Sequence, residues 1–307
     1  MHVFVTGGTG LIGTRLVQRL LERQDTVSLL TRRKDTAQAR FGAGCTVIEG
    51  DPMEAGRCMD AIRDCDAVIN LVGENIFSRR WNNDFKSLLR DSRVKSTENV
   101  ARALSQAPKA SDGAVKVLVN ASAIGYYGPH GDEELFETDG PGNDTLARLC
   151  VDWEKAALQA ETAGIRVAII RVGVVFDKEG GALPLMLKPF RTMVGGPVGS
   201  GKQWVSWIHH ADIVGIFLLA LDRPEATGPL NGTAPNPVTN KDLAKAMGRT
   251  LHRPAFLPTP KLALRLALGQ VAEVITTGQR VVPRRPLALG YRFRFPEIDS
   301  ALADVLS

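Results

Sequence analysis

The opening of this chain constrains its fold more than any other stretch. His2-Val3-Phe4-Val5-Thr6, an apolar run rich in β-branched and aromatic side chains, breaks directly into Gly7-Gly8-Thr9-Gly10-Leu11-Ile12-Gly13. A run of this kind bounded by glycines reads as one buried strand feeding a tight turn. Beyond the turn, Leu11, Ile12, Leu16, Val17, Leu20 and Leu21 recur at helical spacing. The turn therefore opens a helix whose apolar stripe faces a sheet and whose N-terminus points into the loop.

Glycines placed between a strand and a helix have distinct physical uses. One permits the turn, one lets a pyrophosphate approach the backbone and one lets helix and strand pack closely, while free amides and the helix dipole hold the anion. Gly7, Thr9, Gly10, Leu11, Ile12 and Gly13 are accordingly expected to cradle a dinucleotide. The next strand, residues 26–31, ends in Thr31-Arg32-Arg33-Lys34. An acidic side chain at that place grips the ribose 2′-hydroxyl of NAD, whereas an arginine suits a 2′-phosphate. Arg32 and Arg33 thus predict NADP(H), with Thr31 adding a hydroxyl hydrogen bond.

With 307 residues, 44% of them hydrophobic, the chain can bury a large core, either as one α/β unit or as a main domain with a smaller cap. Its net charge of +5 comes from 38 basic and 33 acidic residues spread along the chain, which argues against a nucleic-acid partner. Cys45, Cys58, Cys65 and Cys150 form no Cys-x-x-Cys pair and have no histidine at ligand spacing, so reduced thiols are expected, with no metal. The first strand starts almost at once and no apolar run has the length of a membrane span, so a cytoplasmic protein without membrane contact is expected.

Strands and helices alternate along the chain, which predicts a doubly wound parallel sheet covered on both faces. Residues 46–49 read as a third strand ending at Asp51, which either meets an adenine amino group or simply sits in a turn before proline. A helix over residues 57–63 leads to a fourth strand, 67–71, whose end carries Val72 and Gly73, small enough for a cofactor backbone to lie close. A long helix over residues 83–106 carries Arg93, placed either to reach cofactor phosphate or ribose or to face solvent. A fifth strand, 115–120, delivers Ser122, Tyr126 and Tyr127, whose hydroxyls could bond a substrate carbonyl and exchange its proton, or, for the tyrosines, pack beside a turn.

Residues 6–13, 70–73 and 122–128, with Trp207-Ile208-His209-His210-Ala211-Asp212, resemble the extended short-chain dehydrogenase/reductases, the nucleoside-sugar epimerase and dehydratase superfamily. Gly73-Glu74-Asn75-Ile76, Arg79-Arg80-Trp81, residues 195–201 and Pro283-Arg284-Arg285 are similar to an epimerase-like branch with its own small C-terminal domain. The resemblance implies a Rossmann core over residues 1–178, with 206–236 returning to it, and a substrate-side and C-terminal domain from 179–205 and 237–307. It implies Thr31, Arg32, Leu71, Val72 and Arg93 as cofactor contacts, Ser122 in the position of the catalytic serine, and Val172 in an apolar wall over the nicotinamide.

The resemblance also exposes a departure. Typical members carry a tyrosine and a lysine four residues apart on the next helix, the lysine lowering the tyrosine's pKa from about 10. With Glu154 in the place of the glutamate that usually follows the pair, Leu146 stands for the tyrosine and Cys150 for the lysine. A leucine has no proton to give, and Cys150 reads as core. Two functions follow: an oxidoreductase or epimerase acting on a small molecule such as a nucleotide sugar, with Tyr126 or Tyr127 as acid, Ser122 polarising the substrate and Glu74, His209 or His210 assisting; or a non-catalytic NADP(H) sensor. A monomer or homodimer is expected.

Later segments carry less. The glycines of residues 195–201 predict either a mobile loop or a tight hairpin before a strand over 203–206. Asp212 is expected to cap a helix over residues 211–221. Arg280, Arg284 and Arg285 either bind an anionic substrate or lie on the surface.

Overall fold

The computed structural model describes residues 1–107 and 115–307. β1 (His2–Thr6) enters the glycine turn and α1 (Leu11–Glu22) leaves it, followed by β2 (Thr26–Thr31), α2 (Lys34–Phe41), β3 (Cys45–Glu49) and β4 (Ala67–Asn70). Between β3 and β4 the chain forms a 3₁₀ stretch, Arg57–Asp64, where sequence predicts an α-helix. Its buried Met59 and Ile62, with Cys65 just beyond, recur every third residue, the repeat of the tighter helix. Then come α3 (Asn83–Ser105), β5 (Val117–Ala123), β6 (Glu134–Leu135), α4 (Thr145–Leu158), β7 (Arg166–Val172), β8 (Val174–Asp177), β9 (Gly180–Gly181) and α5 (Leu183–Arg191). The chain continues through β10 (Trp204–Val205), β11 (Trp207–His209), α6 (His210–Asp222), β12 (Gly228–Gly232), β13 (Val238–Thr239) and α7 (Asn240–Leu251). It ends with α8 (Lys261–Leu268), α9 (Ala272–Thr276), β14 (Arg280–Val281), α10 (Arg284–Ala288) and α11 (Ile298–Leu306).

Seven parallel strands form the central sheet in the order β12-β7-β5-β4-β1-β2-β3. Alternate residues of each strand feed opposite faces: Val3, Val5 and Leu29 join the core under α1 and α6, while Phe4, Leu30 and Val68 join the one under α3. The order in which successive strands are added to the sheet reverses between β1 and β4, the switch point at which open α/β sheets bind ligands. A third core, built by Phe176, Leu183, Trp207, Leu243, Met247 and Leu302, lies off the sheet and unites β8, α5, β11, α7 and α11.

Two local expectations change. β5 begins at Val117 and runs through Ala123, because β7 offers ladder partners that far, so Ser122 lies within a strand opposite Arg171. Asp212 does not cap α6: the His209 ring accepts the Ala211 amide instead. Asp212 is buried and its carboxylate receives the Arg294 and Phe295 amides and the Tyr291 hydroxyl, tying the C-terminal segment to α6.

Candidate functional site

The first turn of α1 is able to receive an anion. Helices α3, α4 and α7 each have a side-chain cap, from Asn82, Asp144 and Thr239, but α1 starts at Gly10 with no cap bond and no acidic residue in its first turn. Its leading amides are therefore left for a ligand. Gly7 has φ +67°, and a Cβ there would lie 2.8 Å from the Leu71 carbonyl carbon, so only glycine lets β1 and the loop after β4 converge. Thr9 and Gly10 ride on this turn, Leu11 and Ile12 pack on the core beneath it, and Gly13 is buried in the first helical turn.

At the end of β2, Thr31 is buried and its hydroxyl accepts the Arg33 amide, while the Arg32 and Arg33 side chains are exposed. Asp51, at the end of β3, receives the Met53 amide at 2.9 Å, which is the turn role, and its other oxygen lies 3.9 Å from Arg32. An exposed pair at this distance contributes little and yields readily to a phosphate.

Beneath the strand ends runs a buried polar ladder. Thr6 donates to Asn70, and Asn70 donates to Asn120 at 2.6 Å and to Thr97 at 2.8 Å. The Trp153 indole closes the chain on Thr97. The ladder fixes β1, β4, β5, α3 and α4 at the level where a ligand would lie. Above it, Leu71 and Val72 are half-buried and Gly73 is exposed. A Cβ on Gly73 would sit 3.0 Å from the Arg93 guanidinium carbon. Arg93 donates to the Leu89 and Glu74 carbonyls and packs over the Trp153 ring at 5.2 Å. Burial lowers its pKa, against the pull of Cys150 and Glu74.

The residues expected to do chemistry divide sharply. Ser122 is 2% exposed and donates its proton to Glu154 at 2.7 Å. Glu154 is buried too, with both oxygens held at 2.9 Å by Arg171. Burial works against the Arg171 charge, but the Glu154 bonds outweigh it and leave its pKa raised. Tyr127 is fully buried, donates to Asn231 at 2.7 Å and accepts from Arg171 at 3.0 Å; burial pushes its pKa to about 12. Tyr126 is half-buried, its ring lies 3.4 Å from the Arg171 guanidinium carbon, and its hydroxyl makes no hydrogen bond among the described residues. Of the three, Tyr126 alone keeps an uncommitted proton.

Leu146 and Cys150 face the loop that carries Tyr126: a Cβ on Gly125 would lie 3.5 Å from Leu146 and 3.9 Å from the Cys150 sulfur. Cys150 is buried beside Ser122, and desolvation raises its pKa to about 12. Val172 sits half-buried between Ala123 and Gly232. Glu74 lies in the loop after β4 and accepts from Ser78.

Residues outside this group have structural partners. The loop over 195–201 is pinned rather than swinging: Leu257 donates to Gly195, Gly199 to Thr259 and Thr259 to Pro197. His209 accepts the Ala211 amide on Nδ1 and lies 3.1 Å from Asp304 through Nε2. Its ring nitrogens are thus both engaged, although His209, His210 and Asp304 come within 4.8 Å of one another. Arg280 pairs with Glu134 and packs over Trp204, Arg284 lies over Phe136, and Arg285 donates to the Thr227 and Pro229 carbonyls. No helix among the described residues is long and apolar enough to cross a membrane.

Asn70, Thr97, Asn120, Arg171 and Asn231 carry the site's scaffold without being singled out by the sequence, which marks Glu154 only as the reference point on α4. An asparagine at the end of each of two predicted strands, Asn70 and Asn120, was the available sign, because strand centres disfavour that residue.

Comparison with known proteins agrees with this architecture. Residues 3–231 match the NAD dependent epimerase/dehydratase family, and residues 259–305 match a domain of unknown function, DUF1731. A chloroplastic SDR39U1 homolog of the epimerase family from Arabidopsis thaliana is 40% identical over 311 residues, covering 100% of this chain and 87% of that one. The crystal structure of human epimerase family protein SDR39U1, solved with NADPH, superposes with a TM-score of 0.86 at 37% identity, covering 99% of each chain. A nucleoside-diphosphate sugar epimerase from Corynebacterium glutamicum gives a TM-score of 0.80 at 32% identity, covering 100% of this chain and 58% of that one. With the glycine turn, the switch point and the strand-end ladder in place, the chain belongs to the NAD dependent epimerase/dehydratase family.

Proposed function

We propose that this protein binds NADP(H) across the β1–β4 switch point and acts as an oxidoreductase or epimerase-like enzyme on a small hydroxyl or carbonyl compound, a nucleotide sugar being the leading class. The observation that carries the cofactor choice is the exposed Arg32 guanidinium at the end of β2, where a carboxylate would select NAD. The uncapped start of α1 fits the pyrophosphate, and the NADPH bound by the human relative supports the same assignment.

In this reading the cofactor supplies or takes the hydride. Arg32 and Arg33 hold the 2′-phosphate, with Thr31 shaping their turn, and the amides of the first turn of α1 hold the pyrophosphate. Tyr126 gives and takes the substrate proton, since Ser122 and Tyr127 have theirs committed to Glu154 and Asn231. Ser122, with its proton committed to Glu154, serves the site as an acceptor rather than as an acid.

A second reading is a non-catalytic NADP(H)-binding regulator, and one observation favours it: Leu146 and Cys150 occupy the site-facing side of α4 without an acid or a cation. NADPH oxidation against a panel of aldehydes, ketones and oxidised sugar nucleotides, together with epimerisation of sugar nucleotides, which consumes no NADPH and is followed by NMR, separates the two. Turnover that Tyr126→Phe abolishes supports the enzyme, whereas tight NADPH binding with no turnover across the panel supports the regulator.

A further inference from the structure

We infer that the surface formed by residues 193–194 and 253–268 docks this protein on an anionic lipid bilayer, with α8 lying in the headgroup layer. The sequence predicts no membrane contact because no apolar run is long enough to span, but a helix that lies in the interface needs no such length.

The helix itself is the first observation. None of the α8 side chains is buried. Leu264 and Leu268 are half-buried, whereas Leu262 and Leu266, two residues removed and so on the opposite side of the helix, are 68% and 71% exposed. Lys261 and Arg265 form an exposed basic stripe beside the outward leucines at the same four-residue spacing. Leucines facing water beside cations are what an interfacial helix presents. The helix is fastened near its end by Arg80, which donates to the Leu266 carbonyl at 3.2 Å.

The exposed apolar surface continues off the helix. Leu257 donates to Gly195 and Thr259 to Pro197, which joins the exposed Phe256 and Leu257 to the exposed Met193 and Val194. Contiguous apolar side chains left in water mark a docking surface.

Charge decides what covers it. Residues 180–211 and 243–272 contain no aspartate or glutamate but eight lysines and arginines. Lys245 and Arg249 pair with Asp242 and Asp299, and the other six form no ion pair among the described residues. Immediately before Phe256 in the chain, Arg253 joins Lys245, Arg249 and His252 around a depression of about 560 Å³, where phosphate headgroups meet cations on several sides. A second copy would bring the same positive face and be repelled. A partner helix docks by filling a groove or being received in one, whereas these side chains stand outward from a helix that buries none of its own. An anionic bilayer receives the apolar side chains and the cations together.

Co-sedimentation of the full chain with vesicles of phosphatidylcholine alone, and of phosphatidylcholine mixed with phosphatidylglycerol, tests this. Binding is expected to be at least about tenfold tighter on the anionic vesicles and to weaken with added salt. Leu262→Gln with Leu266→Gln is expected to weaken it by at least about tenfold. Lys261→Gln with Arg265→Gln is expected to weaken it by about tenfold or more and to flatten the salt dependence. Thermal melts matching wild type show that both variants fold. Equal binding to the two kinds of vesicle, or binding that survives either pair of substitutions, overturns the inference. So does a dimer in sedimentation velocity that Leu262→Gln with Leu266→Gln abolishes, which would assign the surface to a second copy. Tighter binding of a soluble acidic amphipathic peptide than of anionic vesicles overturns it too, in favour of a protein partner.

Discussion

The Ser122 hydroxyl donates to Glu154 at 2.7 Å, and the same carboxylate is gripped by Arg171 through both of its oxygens. The serine that sequence places at the catalytic lip is thus the outer member of a buried charge network, with its proton directed into the protein. The chemistry of the site follows from which hydroxyls this network consumes.

Removing the Glu154 charge strands Arg171. Glu154→Gln is expected to destabilise the fold by about 3 kcal/mol, because breaking a buried pair leaves its partner desolvated. Urea denaturation measures this, and a change below about 1 kcal/mol would show that the network is not carrying β5 and β7 together.

The two adjacent tyrosines should behave oppositely. Tyr127→Phe leaves Asn231 without its donor and is expected to cost about 1–3 kcal/mol of stability while NADPH binding stays intact. Tyr126→Phe is expected to change stability by less than about 0.5 kcal/mol and to remove turnover. Thermal melts set beside the NADPH oxidation assay read both variants.

Arg32 is expected to set cofactor selection. Arg32→Asp is expected to weaken NADP(H) about a hundredfold, through loss of a charge-assisted phosphate contact and gain of a repelling carboxylate, while NAD(H) binding changes far less. Matching losses for the two coenzymes in calorimetry would contradict the assignment of the 2′-phosphate to this side chain.

Stability should fall on mild acidification. Burial first, and the neighbouring His210 second, lower the His209 pKa to about 4, and in the neutral ring Nδ1 accepts the Ala211 amide. The unfolded chain, with its histidine near 6.5, takes up a proton that the folded chain refuses. Stability due to this group is therefore full above about 6.5 and declines as pH drops toward 4, by an amount on the order of 2 kcal/mol. Urea midpoints at pH 7 and pH 5 should show the decline, and His209→Gln should reduce it, with His210, whose pKa burial also lowers, keeping the remainder.

How much of this could be read from the chain depends on sequence distance. The glycine turn, the helix over residues 83–106 and the helix over residues 211–221 are local patterns, and each forms within a residue of where its spacing predicts. The ladder is not local: Thr6 and Asn70 lie 64 residues apart, and Asn70 and Asn120 lie 50 apart. Tyr127 looked like a candidate acid because its two partners, Arg171 and Asn231, lie 44 and 104 residues downstream. Asp212 had the right residue type for a cap, but a histidine at the preceding corner and a tail returning from residues 291–295 claimed the roles.

β14 pairs with β6, the short strand just beyond the loop bearing Tyr126, and Gln279 donates to the Ile124 carbonyl within that loop. The segment around β14 therefore acts as a brace for a loop made far earlier in synthesis, and that loop gains its support only after residues 279–281 have been made. A chimera that exchanges this segment for a relative's would have to carry the matching loop with it, so the two are expected to have been inherited as one unit.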